Sequence, residues 1–138
     1  MEDVMRKSID KLKFIRQKRV GDMLFFIGTI LDWTATSQEE QTIIQTRMKG
    51  LSNQEASDIT DNNARTYALE SWLFLVAVIL FTNVSYARLK EQEANRPTNI
   101  PLSNKDIIPS YVVVIGNIFK VIGFALTAIG NQLKANSA

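Results

Sequence analysis

Lys120 is the residue with the most unusual setting. It stands in GNIFKVIGFALTAIGNQL, residues 116–133, with apolar neighbours on both sides and glycines at Gly116, Gly123 and Gly130. A cation so placed could line an ion path, hold a buried carboxylate or face a wet groove. The remaining chemical inventory is thin. The chain has no histidine and no cysteine. It therefore lacks the imidazole that most often moves protons near neutral pH, any thiolate nucleophile, and the usual zinc and haem ligands. It has neither a Gly-rich phosphate loop nor a G-x-S-x-G elbow. Glu39, Glu40, Glu55, Asp58 and Asp61 gather between the apolar segments. With no ligand template around them they read as a solvated face rather than a divalent-ion site. A net charge of +2 is too mild to imply nucleic acid. No enzyme activity, cofactor or metal is expected.

The elements that position Lys120 come from the uncharged runs. SWLFLVAVILFTNVSYA, residues 71–87, carries no charge over 17 residues. Extended to residues 67–87, it is long enough as a helix to cross ~30 Å of hydrocarbon. Tyr67 and Trp72 near one end and Tyr86 near the other suit the two interfaces. A second run, residues 109–131, is broken only by Lys120, and the helix carrying it is expected over 107–134. Pro109 fits a first turn and Ser103 with Asp106 fits a capping box. Residues 20–37, VGDMLFFIGTILDWTATS, form a weaker third segment. Asp22 and Asp32 bound its apolar centre, so it reads as a marginal span or an interfacial helix. The fold class is all-α: a small helical integral membrane protein with two clear transmembrane helices and a weaker N-terminal one.

The flanks complete a single membrane domain over residues 1–138. Residues 1–19 read as a basic amphipathic helix, with Met5, Ile9 and Leu12 on one stripe. Lys7, Lys11, Lys18 and Arg19 are available to lipid headgroups. Residues 38–66 read as a polar helical loop. In it, Ser37 and Glu40 start a helix that Gly50 stops, Ser52 and Glu55 repeat the start signal, and residues 51–63 form a linker. A long helix follows over 64–95, then a turn over 98–106. Basic residues concentrate in residues 1–20 (Arg6, Lys7, Lys11, Lys13, Arg16, Lys18, Arg19) and 88–106 (Arg88, Lys90, Arg96, Lys105). Residues 38–66 hold only Arg47, Lys49 and Arg65, and the tail adds Lys134. Three spans would put the two rich groups together on the cytoplasmic side with the N-terminus.

At 100° per residue, Gly116, Lys120, Gly123, Thr127, Gly130 and Lys134 fall within about 40° of one line. Ile115, Ile118, Ile122, Leu126 and Ile129 cover the far side. Small residues let another backbone approach closely, and a lysine avoids lipid. The stripe is therefore expected to face protein or water. A symmetric hairpin of 67–87 with 109–131 sets residue i against about residue 196 − i. With a third span, Asp32 then comes near Lys120 in depth, and the two are expected to form a buried ion pair, within one chain or across a subunit boundary. The function expected is a non-catalytic packing subunit, scaffold or regulator that meets itself or another membrane protein through the stripe. The alternative is a self-assembling, holin-like pore lined by Lys120.

Overall fold

The computed structural model describes residues 1–50, 52–95 and 104–138, the last with side chains from Ile107 onward. It consists of three helices: α1 (Glu2–Lys49), α2 (Asn53–Ala94) and α3 (Asn104–Asn136). No strand occurs among the described residues. The turn expected over 98–106 lies mostly outside them, as does the Ser103–Asp106 capping box.

α1 is one helix of 48 residues, ~72 Å long at 1.5 Å per residue. Three pieces expected to be separate, 1–19, 20–37 and 38–49, are continuous. Ser37 starts nothing: the upstream turns already supply carbonyl partners, so no free N–H groups remain to be capped. The first true stop is Gly50, which takes the left-handed conformation at φ 62 and ψ 51, where a side chain would be strained. α2 restarts at once. Ser52 Oγ accepts from the Glu55 amide at 3.3 Å, and the Glu55 carboxylate accepts from the Ser52 amide at 3.3 Å. The polar stretch 51–63, expected as a linker, is thus the first three turns of α2 from Asn53 onward. Pro109 lies inside α3 rather than in its first turn; its ring leaves one carbonyl of the preceding turn without its helical partner.

α2 is the central helix, and α1 and α3 dock on two of its flanks. No Cα of α1 comes within 8 Å of a Cα of α3 among the described residues. On the α1 side the packing is large on small. Phe81 rests on Gly21 and Phe74 on Gly28; a Cβ added to either glycine would lie 2.6 or 2.7 Å from the ring. Lys11 meets Glu91 at 3.3 Å further along. These pairs set residue i of α1 against about residue 102 − i of α2. Gly21, Gly28 and Ala35 are the buried residues of α1, and their spacing of seven is that of a left-handed helix pair. On the other flank Asn117 meets Ser85 and Asn131 meets Ser71. Residue i of α3 therefore opposes about 202 − i, not 196 − i. The slip of six residues shifts every depth on α3 by ~9 Å.

The interior mixes alanine with Leu75, Val78, Val84, Leu89, Ile107 and Val114, and large apolar side chains also lie on the exterior. Buried positions include Ala35, Ala68, Ala77 and Ala128, whereas Phe26, Trp33, Phe119, Leu126 and Leu133 are exposed. α2 and α3 each contain a stretch long and apolar enough to cross a membrane, and α1 does not. The apolar window of α3 is only 11% buried. Residues 36–49 of α1 and 53–66 of α2 run past the end of α3 as a two-helix stalk, by about 13 residues or ~20 Å.

Candidate functional site

Polar side chains concentrate in one layer where the stalk enters the bundle. Asn131 of α3 donates from Nδ2 to Ser71 Oγ at 2.6 Å and to the Tyr67 carbonyl at 3.4 Å. Ser71 Oγ donates back to the Tyr67 carbonyl at 2.7 Å. Trp72 Nε1 donates to Gln132 Oε1 at 3.1 Å, and the hydroxyls of Thr36 and Tyr67 lie 3.2 Å apart. The layer thus ties both flanking helices to α2. One turn beyond, Asn63 is 1% exposed and donates from Nδ2 to the Ala35 carbonyl at 3.4 Å. Its Oδ1 is buried with no partner.

Glu70 is the charged member of this layer. It is 8% exposed, and its Oε2 is buried without a hydrogen-bond donor. The Asp32 carboxyl of α1 lies within hydrogen-bonding reach of it. Two ionised carboxylates are both acceptors, so this contact is a hydrogen bond only when one of them carries a proton. A cleft of about 400 Å³ opens beside the layer toward the stalk, lined among others by Glu39, Asp61, Tyr67, Asn131 and Lys134.

The glycine stripe sits elsewhere. α2 packs on Ile107, Val114, Asn117, Val121, Phe124, Ala128 and Asn131 of α3, a face about 110° around the helix from the stripe. Of the two surroundings expected for the stripe, protein or water, α2 of the same chain is therefore not one. Nothing lies within 4 Å of a Cβ placed at Gly116, Gly123 or Gly130. Thr127 only closes a local bond to the Gly123 carbonyl, at 3.0 Å. Lys120 lines an open groove of about 510 Å³ with Asp22, Phe25, Phe81 and Phe124. The expected Asp32–Lys120 pair is not formed within the chain. The register sets Lys120 near Lys18 and Asp22, while Asp32 lies ten residues further along α1. Asp22 is itself held by Lys18 at 2.8 Å, and Lys18 also sits 5.9 Å from the Phe81 ring.

The bases expected at headgroups are spread along α1 as it docks on α2, not on a separate helix. Lys11 is paired with Glu91 and Lys18 with Asp22. Lys7 borders a cleft with Asp10, Phe14 and Glu91, and Arg19 is exposed. At the same end Lys90 donates to Glu93 at 3.1 Å, which holds the ammonium pKa above its ordinary value.

Sequence reasoning missed Gly21, Gly28 and Ala35, whose spacing of seven was as visible as that of the α3 glycines. It also missed Asn63, whose polarity read as linker. Comparison with protein-family models, curated proteins and solved structures finds no match.

Proposed function

We propose that this chain is a non-catalytic membrane protein in which all three helices cross the bilayer, and that it acts as a packing subunit of a membrane assembly. The observation that carries this reading is how little of the apolar surface of α3 the chain itself covers. A core helix of a soluble protein would be mostly buried, yet α3 is 11% buried over its apolar window. Its Ile115, Ile118, Ile122, Leu126 and Ile129 face outward, where lipid can cover them.

Depth relations support the same reading. Trp33, Tyr67 and Trp72 share one level of the bundle. Tyr86 and Tyr111 share another, ~28 Å away along α2 by the register. That separation matches the ~30 Å hydrocarbon thickness, with aromatic residues at both boundaries. α1 fails as an isolated span by composition, but it is continuous and antiparallel to α2 across the whole of this interval. If α2 crosses, α1 is carried across with it. The bases of the α1 N-terminus and the α2 C-terminus then share one side, the cytoplasmic one by charge. Lys120 lies about six residues inside that boundary, within reach of snorkelling toward it.

The partner face is the stripe of Gly116, Gly123, Thr127 and Gly130, a strip of outward backbone that another helix could approach closely. The test is the oligomeric state in mild detergent, wild type against Gly123→Leu. Loss of a defined assembly in the variant supports the reading. Persistence of the same assembly in Gly123→Leu removes the stripe from it. A wild-type homo-oligomer that also passes chloride in liposomes would move the Lys120-lined pore ahead.

A further inference from the structure

We infer that Asp32 and Glu70 form a proton-binding site: the two carboxyls share one proton, and the bound proton holds α1 against α2 at the base of the stalk. The inference rests on two geometric facts. Glu70 is more than nine-tenths buried, and its inward oxygen has no donor from the protein. The register of the α1–α2 seam, fixed by Gly21 on Phe81, Gly28 on Phe74 and Lys11 at Glu91, sets another carboxyl, Asp32, opposite it. Asp32 is exposed and Glu70 is buried, so an ionised Glu70 meets both desolvation and the charge of Asp32, and one shared proton relieves both. With that proton the contact becomes an O–H···O hydrogen bond between α1 and α2. Without it the same contact pushes the helices apart.

Among the described residues no cation is paired with either carboxyl. From α1, Asp32 faces Glu70 and Glu39 lies further toward the stalk. On α2 the nearest titratable groups along the chain are Tyr67 and the exposed Arg65, and beyond them Asp61. α3 presents the neutral Asn131 and Gln132 at this level, and Lys134 lines the cleft further out. Asp32 is the charged group that acts on Glu70. That leaves a proton, or a small monovalent cation in its place, as the neutralising ligand. A proton is favoured because the available ligands are few: the flanking amide and hydroxyls are already bonded to each other and to the Tyr67 carbonyl.

Burial of Glu70 by α1 and α2 does not depend on the glycine stripe, so this site and the partner face can fail separately. Infrared spectroscopy of the full chain in liposomes at neutral pH reads the protonated carboxyl directly through its C=O stretch and its shift in D₂O. The expected result is one protonated carboxyl per chain, lost completely in Glu70→Gln and in the Asp32→Asn/Glu70→Gln double variant. The double variant mimics the protonated pair and should keep α1 docked, which separates loss of the band from loss of the fold. A wild-type spectrum identical to that of the double variant overturns the proposal. So does a band that appears only when sodium is replaced by choline, which would assign the site to a cation.

Discussion

Gly28→Leu should detach α1 from α2, whereas Gly123→Leu should leave the single chain unchanged. The two glycines look alike in sequence, both in apolar helices and both in a seven-residue series. Their surroundings differ. A Cβ at position 28 would lie 2.7 Å from Phe74 Cε1 and 3.0 Å from Cδ1. Phe74 cannot swing clear easily, because its ring is held between Phe25 at 4.5 Å and Phe124 at 5.7 Å. Adding even one carbon therefore overpacks the seam, at about 1–3 kcal/mol. Replacing glycine inside a helix returns roughly 1 kcal/mol, so Gly28→Ala is expected to be mildly destabilising. Leucine adds three further carbons, and its expected cost is about 3 kcal/mol or more, beyond a hundredfold loss of docked α1. At position 123 the space is empty, so only the gain in helix propensity remains. The chain has no native cysteine, so Lys11→Cys with Glu91→Cys gives a unique crosslink across the α1–α2 seam. Oxidative crosslinking in detergent should fall sharply with Gly28→Leu and not with Gly123→Leu. Equal crosslinking in Gly28→Leu and the parent would refute the large-on-small seam.

Other expectations follow from the same geometry. Ser52→Ala removes the hydroxyl half of the α2 capping box, leaving the residue-52 amide on the Glu55 carboxylate, and should destabilise the stalk by about 1 kcal/mol, read as faster hydrogen exchange over residues 53–60 with the bundle unaffected. Asn131→Leu leaves Ser71, 1% exposed, without its α3 partner; a loss of about 1–2 kcal/mol in detergent unfolding is expected, and an unchanged midpoint would remove the polar layer from the stability of the bundle. Lys11→Ala breaks an ion pair whose partners are both largely exposed, so no measurable change in unfolding is expected. Trp33 and Trp72 should be quenched equally by lipids brominated at one depth, since the register puts them at one level; clearly different quenching would mean that α1 is tilted or slipped on α2.

Much of this architecture can be read from residues. The run at 71–87 and the Lys120-bearing run could only be long helices, and Gly50 followed by Ser52 and Glu55 marks the α1–α2 turn to within a residue. What misled was polarity. LSNQEASDITDNN looks like a linker because a two-helix stalk exposes most of its surface, and among its described residues only Asn63 is fully buried. The α1 apolar centre looks too short because Asp22 and Asp32 interrupt it. Asp22 is held by Lys18 one turn back on the same helix, whereas Asp32 faces Glu70 across the α1–α2 seam, which no count along one helix reveals. Within one chain the Asp32–Lys120 pair is ruled out by register: a symmetric hairpin was assumed, and six residues of slip carry Lys120 toward Asp22. The glycine stripe was correctly seen as a face of small residues, but a wheel drawn on α3 alone does not say that α2 packs a third of a turn away.

The crossing of α1 is the central claim, and single-cysteine labelling tests it most directly. Val4→Cys and Met48→Cys lie at opposite ends of α1, on exposed side chains. In sealed vesicles a membrane-impermeant maleimide added outside should label one position, and the other only after the membrane is opened. Labelling of both from the same side would mean that α1 does not cross, and the three-helix membrane bundle would be wrong.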